Sequence, residues 1–470
     1  MTALEPQPSV ESHGRAHRVR RPRALLGAAA GCLLSFTAFW VAQRLAHVTM
    51  VDLMVYRAEG GTARSGGDLY DMVATSAHLQ NTYPPFAALL FTPLTLVGVA
   101  PMRTLATAGN LLLLVAVVHQ SLALLRPAAP RGEAAGPRRP AAHWAVTLAV
   151  SAGAVWCEPV WTTLRYGQIN LLLAALVLWD VRRRPGSRLA GVGTGIAAGV
   201  KLTPALFVVW FALVGVARAV TALRSGTGLR EAWNPWLRRA CTATVTFLAT
   251  VGVGAALLPH DSRRFWTEVV FATDRVGDIE ITADQSLHGA FARLLHTPQP
   301  GPVWSVAAVV VAALGLWLAT ATALRADRSG GPGPDAAWAT VTCAVTALLV
   351  SPISWSHHWV WGAPMVVVAA AQARHAGGWR RAAGRRWWAA GAGLALALCS
   401  FALWWVPHRW HAHQELHQGP VQLLLSDVYP LAGLGFLAMA AVRLRAGTGR
   451  AAAAGPQART GAAARAGSVG

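Results

Sequence analysis

An aspartate, a solitary lysine and an adjacent pair of histidines are the residues of this chain best suited to chemistry. Asp52 lies in Val51-Asp52-Leu53-Met54-Val55-Tyr56, just beyond the first apolar run. A carboxylate at that depth sits at the bilayer surface, where it can take a proton from an attacking hydroxyl as a general base. Lys201 is the only lysine, every other basic side chain besides histidine being arginine. Its compact ammonium, at a break in an apolar stretch, suits a phosphate as a point charge. His357 and His358 belong to Ser351-Pro352-Ile353-Ser354-Trp355-Ser356-His357-His358-Trp359, a polar knot between two apolar runs. They can donate to a departing phosphate or position an acceptor hydroxyl. Each has a plainer reading. Asp52 could pair with Arg57 or Arg64, Lys201 could snorkel at a span end, and the histidines could occupy a solvated turn.

Around these lie groups able to hold a polar substrate. Tyr56 and Tyr83 bracket a long loop that also carries Glu59, Asp68 and Asp71 and closes with Tyr83-Pro84-Pro85-Phe86. Gln168 and Asn170 follow Tyr166-Gly167, and Asp284, Gln285 and Ser286 form a second short polar stretch. Such amides and hydroxyls bind sugar hydroxyls or satisfy helix ends. Trp355 could stack on a sugar, and Arg165 could add a second cation for a phosphate. Glu158 and Trp161 extend the same rim. Two adjacent histidines point in different directions and no carboxylate stands at ligand spacing, so neither a metal site nor a cofactor is expected.

The elements that position these residues are membrane helices. The chain has 470 residues, 54% hydrophobic and 13% charged, about half the charge of a soluble domain. Apolar runs recur from end to end, which predicts an all-α polytopic membrane protein. The first run, 24–43, has Arg44 and His47 behind it and no small-residue cleavage site, so it reads as a retained span. Further spans are expected near 101–125, 142–157, 168–181, 189–200, 204–220, 239–258, 303–324, 336–350, 358–372, 387–405 and 427–443, about twelve in all. Phe86 to Ala100, interrupted by Pro93, reads as re-entrant. The stretch 189–220 breaks at Lys201-Leu202-Thr203-Pro204 because proline ends a helix. Residues 1–23 and 446–470 read as disordered tails flanking a membrane domain at 24–445.

The net charge of +21 is dispersed rather than gathered on one face, so it does not point to nucleic acid. Arginines cluster at 15–23, 126–139, 182–188, 224–239, 325–328, 374–386 and beyond 443, the cytoplasmic-loop pattern of the positive-inside rule. Acids such as Asp52, Asp68, Asp261, Asp278 and Glu415 fall in the alternate loops. Both termini are then cytoplasmic in the plasma membrane, and loops 44–85, 259–302 and 406–426 face outward with the candidate chemistry. Five scattered cysteines (Cys32, Cys157, Cys241, Cys343 and Cys399) read as small core residues. Nothing matches a phosphate loop, and Gly191 to Gly195 lies within a span rather than after a strand. A sugar donor, if there is one, must therefore come from the membrane. No matched pair of broken helices in two halves supports a transporter.

In order and spacing, Asp52 with Tyr56, Tyr83-Pro84-Pro85-Phe86, Gly167-Gln168-Ile169-Asn170, Lys201-Leu202-Thr203-Pro204, Gln285-Ser286-Leu287 and Ser351-Pro352 through His357-His358 resemble glycosyltransferase family 87. These are the polyprenol-phosphate-mannose-dependent mannosyltransferases and their relatives. The resemblance covers roughly 45–370, and Ala283-Asp284 departs from it where the family often carries asparagine. It implies a GT-C fold with an outward-facing cavity, Asp52 as the base and a polyprenyl-phosphate sugar as donor. The expected reaction is inverting transfer of mannose to a lipid- or glycan-linked hydroxyl, giving an α-linkage. An arabinofuranosyltransferase of the same fold and a lipid-linked glycan flippase are the alternatives.

Overall fold

The computed structural model describes residues 11–126, 140–184, 186–328, 333–409 and 411–446, with no account of the side chains of 11–22, 273 and 274. The expectations for residues 1–10 and 447–470 lie outside this range. Nineteen helices carry the described chain. Among the described residues the only sheet is one antiparallel hairpin, β1 (Val73–Ala74) and β2 (Leu79–Gln80), pairing Val73 with Gln80 and Ala74 with Leu79. The all-α polytopic architecture is thus confirmed.

Among the described residues, seven helices are long and apolar enough to cross a membrane, by their spans Arg23–Leu45, Val99–Leu124, Ala205–Arg224, Pro235–Leu257, Pro302–Arg328, Ala382–Trp404 and Val428–Ala446. They belong to α1 (Glu11–Leu45), α4 (Val99–Leu124), α9 (Ala205–Arg224), α11 (Pro235–Leu257), α14 (Pro302–Arg328), α17 (Ala382–Cys399) and α19 (Val428–Ala446). An eighth is added if α6 (Glu158–Tyr166) and α7 (Asn170–Val181), bent by 116°, count as one span. The remaining expected spans fall on α5 (Pro140–Ala154), α8 (Val192–Val200), α15 (Pro334–Val350) and α16 (Gly362–His375). These run only 9–17 residues, short of the ~20 needed for a straight crossing. Helix α1 also begins at Glu11, ahead of its apolar part, where the sequence predicts disorder through residue 23. The stretch read as re-entrant forms a short helix, α3 (Pro85–Phe91), and a tight turn at Thr92–Leu96.

Close helix contacts explain the glycines around residue 191. Gly195 and Gly199 of α8 face α11, and a Cβ at Gly199 would lie 2.1 Å from Thr250 Oγ1. Small residues let the two backbones approach, which is how helices associate where lipid removes the hydrophobic drive. The glycine run is a packing surface. Helix α15 is buried along nearly all its length and packs on α14, where a Cβ at Gly315 would meet Thr346. At the ends of these helices the arginine clusters acquire acids. Arg218 pairs with Asp327, and Asp335 is held by both Arg325 and Arg443. These two acids are counter-ions of arginine, which tie α9, α14, α15 and α19 together.

Shorter elements build the side of the molecule that carries the candidate chemistry. Helix α2 (Val51–Ser65) packs on α3 and the Thr92–Leu96 turn, and α12 (Pro259–Thr267) follows α11 on this side, whereas α10 (Leu229–Ala232) packs on α9 at the opposite end of α11. Asn234 caps α11 by accepting from Trp236 N and Leu237 N, with Pro235 at the first helical position. Ser286 caps α13 (Leu287–Leu294) in the same manner through Gly289 N. Helix α18 (Pro420–Ser426) leads into α19.

Candidate active site

Asp52 sits in the first turn of α2, whose preceding residue Met50 has φ 52° and ψ 62°. A non-glycine residue in the left-handed region costs of order 1–3 kcal/mol and persists only where its surroundings fix it. Here the surroundings are α6. That helix ends at Gly167 with φ 72°, and a Cβ there would lie 2.6 Å from Leu53 Cβ and 3.3 Å from Met50 Cβ. Only glycine allows both the turn and the contact. The result places the next residue, Gln168, directly against the start of α2.

Gln168 Nε2 donates to Asp52 Oδ2 at 2.7 Å. Its amide oxygen accepts from Tyr56 OH at 2.5 Å and from Tyr83 OH at 3.3 Å, and the two tyrosine hydroxyls lie 2.8 Å apart. Tyr83 in turn accepts from Lys201 Nζ at 3.4 Å, and the ammonium also reaches Asn170 Oδ1 at 3.4 Å. Lys201 closes α8 in an extended conformation, φ −151° and ψ 132°, before Pro204 starts α9. Its third contact is His358 Nε2, at 2.8 Å. Burial pulls Lys201 down to about 7, and burial together with the Lys201 charge holds the His358 imidazole well below its usual value, so the ring is neutral and this nitrogen accepts when the lysine is charged. Asp52, Gln168, Tyr56, Tyr83, Lys201, Asn170 and His358 thus form one continuous polar chain drawn from five separate parts of the sequence.

The His357 backbone carbonyl is fixed by Thr163 Oγ1 at 2.8 Å and Asn170 Nδ2 at 2.9 Å. Its ring stands edge-on to Tyr166 and to His358, and its Nε2 is buried without a partner. A buried ring nitrogen left over in this way is available to a ligand. Burial pushes the Asp52 carboxyl up to about 6, against the opposing pull of the Gln168 hydrogen bond and the Lys201 charge. Such a carboxylate is ionised at neutral pH yet basic enough to accept a proton.

A pocket opens beside this network. Asn170, Lys201 and His358 line its polar end, and Leu173, Val177, Phe207 and Leu348 its apolar wall. Charge at one end and hydrocarbon along the rest is the lining a lipid phosphate requires.

Other residues singled out in the sequence lie elsewhere. Asp284 is fully buried and accepts from Ser354 N, Ser286 N and Ser286 Oγ. Burial pushes its carboxyl to about 6 despite these donors and Arg293. Gln285 donates to Thr282 O and Ser426 O and accepts from Tyr429 N. Their polar atoms are taken up by the protein, and with the bridge between Asp284 and Trp355 they fasten this stretch to the segment that carries the histidines. Ser286 caps α13. Arg165 is exposed at the end of α6.

Glu158 has a larger part than its sequence suggests. It is fully buried, and its carboxylate accepts from Thr162 Oγ1, Ser356 Oγ and Tyr429 OH at 2.8 Å each and from Trp404 Nε1 at 3.1 Å. Four donors satisfy a buried charge that would otherwise be costly. Ser356 precedes His357, so this hub anchors the histidine segment to α6 and α19. Tyr429 and Trp404 are the residues missed from sequence. Nothing local marks them, because their partner lies more than two hundred positions away.

Comparison with known proteins agrees with this architecture. Residues 81–352 match the model of glycosyltransferase family 87. A Mycolicibacterium smegmatis protein named polyprenol-phosphate-mannose-dependent alpha-(1-2)-phosphatidylinositol mannoside mannosyltransferase is 35% identical over 344 residues, covering 70% of this chain and 72% of that one. A Mycobacterium tuberculosis protein of the same name is 31% identical over 363 residues, covering 76% and 77%. A second M. tuberculosis protein, the corresponding pentamannoside mannosyltransferase, is 35% identical over 324 residues, covering 67% and 65%. No solved structure matches the chain. With its multiple apolar helices and a match over more than half its length, this chain is a multi-pass membrane protein that belongs to glycosyltransferase family 87.

Proposed function

We propose that this enzyme moves a mannosyl group from a polyprenyl-phosphate donor to a hydroxyl of a lipid-linked mannoside, forming an α-linkage. The observation that carries the reading is the polar chain from Asp52 through Gln168 and Tyr83 to Lys201 and His358, the last two of which line a mostly apolar pocket. Asp52 takes the proton of the acceptor hydroxyl as its oxygen attacks the anomeric carbon. The bond from that carbon to the phosphate oxygen breaks on the opposite face, and polyprenyl phosphate leaves. One displacement inverts the centre, so a β-linked donor gives an α-linked product. Lys201 offsets the phosphate charge, and His357 offers its unpartnered Nε2. Tyr56, Tyr83, Gln168 and Asn170 orient the sugar and the base. Asp284, Gln285 and Ser286 act by holding the histidine segment in place.

The arginine clusters support a cytoplasmic position for both termini and an extracytoplasmic site. Residues 24–445 then form the catalytic membrane domain, with loops 44–85, 259–302 and 406–426 on the outer side. The names of the relatives support a phosphatidylinositol mannoside as acceptor.

The test is reconstitution of purified protein in lipid vesicles with radiolabelled polyprenyl-phospho-mannose and phosphatidylinositol mannosides. The expected product is a labelled lipid one mannose longer, cleaved by α-mannosidase and absent with Asp52→Asn. Movement of labelled donor across the bilayer with no new product would overturn the reading in favour of a flippase.

A further inference from the structure

Away from the polar chain of the active site, the loop after α12 meets the segment between α17 and α18 at a cluster of carboxylates and imidazoles. Asp278 Oδ2 lies 3.2 Å from His411 Nδ1 and accepts the His411 backbone N–H at 3.1 Å. His413 Nδ1 pairs with Glu280 Oε1. The ligating atoms of Asp278, Glu280 and His413 all lie within 4.8 Å of one another. Glu280 is 2% exposed, whereas the His413 side chain is 53% exposed, so the cluster has a protein floor and an open side for an ion to enter. Glu415, two residues beyond His413, is 1% exposed and its Oε1 has no partner. Its charge acts on both His413 and Glu280. Three carboxylates against two imidazoles leave an excess of negative charge that a divalent cation would neutralise.

A second grouping, Asp68, His260 and Asp261, shows what such a cluster looks like when protein cations already fill that role. There Arg264 holds both Asp68 and Asp71, and Asp261 accepts from Leu69 N.

We propose that Asp278, Glu280 and His413 form a divalent-metal site of the zinc class that clamps the two segments together. One imidazole nitrogen and two carboxylate oxygens are ligand types that zinc accepts, and the exposed side beside His413 leaves the fourth tetrahedral position to water. The clamp would brace the chain just ahead of Asp284, whose bridge to Trp355 backs the histidine segment. Neighbouring imidazoles and carboxylates are invisible as a ligand set in the sequence, because more than a hundred residues separate His413 from the two carboxylates.

The experiment uses the full chain in detergent, purified without a polyhistidine tag, stripped with chelator and titrated with zinc chloride. One zinc per chain is expected, with a visible Co²⁺ absorption band of tetrahedral type on substitution. Glu280→Gln and His413→Gln should weaken zinc binding by about tenfold or more, since even partners outside the ligand shell cost that much. Asp278→Asn, on a side chain 24% exposed, keeps the shape of the residue without threatening the fold and should weaken it as well. Zinc content no higher than background, or the same affinity in Asp278→Asn as in the parent, would overturn the site. Both readouts are independent of sugar transfer, so failure here leaves the proposed reaction untouched.

Discussion

Gln168 holds Asp52 with one end of its amide and Tyr56 with the other, at 2.7 and 2.5 Å. The amide therefore cannot flip without setting its donor against the tyrosine hydroxyl and its oxygen against the carboxylate. One Asp52 oxygen is occupied in this way, and the second remains available to an acceptor hydroxyl.

Replacing Asp52 by asparagine keeps the shape but removes the basic oxygen. Transfer should fall by about 10²-fold or more while donor binding persists. Single-turnover assays beside a donor-binding titration separate the two. Near-normal turnover would reduce Asp52 to an interfacial acid.

The raised pKa of Asp52, about 6, sets a pH dependence with two signs. Activity requires the ionised form, so kcat/KM should fall on the acid side with an apparent pKa near 6. Stability runs the other way. A carboxyl whose folded pKa lies above its unfolded value favours folding most while protonated, and this advantage is lost as pH rises through the folded pKa. Asp52→Asn should therefore melt higher than the parent above that pH, and the difference should shrink toward pH 4. Equal melting curves at pH 7.5 would show that the carboxylate carries no desolvation cost.

Lys201→Ala removes the charge at the polar end of the pocket. Because a phosphate loses its counter-ion in a low-dielectric site, the donor KM should rise about tenfold or more. Asn170→Ala, which also frees the His357 carbonyl, should lower kcat more than it raises KM. Identical kinetic signatures for the two would argue against separate roles.

Glu158→Gln turns one acceptor oxygen into a donor that faces other donors. Loss of a satisfied buried acceptor costs about 1–3 kcal/mol, so the melting temperature should drop. Tyr429→Phe, which removes a single donor, should cost less. If Glu158→Gln melts like the parent, the hub does not anchor the histidine segment.

Sidedness is open to labelling. Single cysteines at Gln299 and Ser225, both exposed, should react with an impermeant maleimide from outside and inside respectively. The reverse pattern would move the site to the cytoplasmic face.

Sequence alone determined the membrane class and the dispersed basic charge, because both are sums over many residues and survive any packing. It also marked Asp52, Lys201 and His358 individually, since an ionisable group at the edge of an apolar run is conspicuous wherever the chain folds. The number of crossings was less legible. Helices as short as α8 and as buried as α15 are apolar for the sake of helix contacts, and hydropathy does not separate those from contacts with lipid. Only the tertiary structure decided that Gln168 would clasp Asp52, that Asp284 and Gln285 would turn inward to backbone partners, and that Glu158 would gather Ser356, Trp404 and Tyr429. Hydrogen bonds are short-ranged and directional. Which groups meet is fixed by where the backbone passes, here by a left-handed glycine at 167 and by a helix that stops at Lys201.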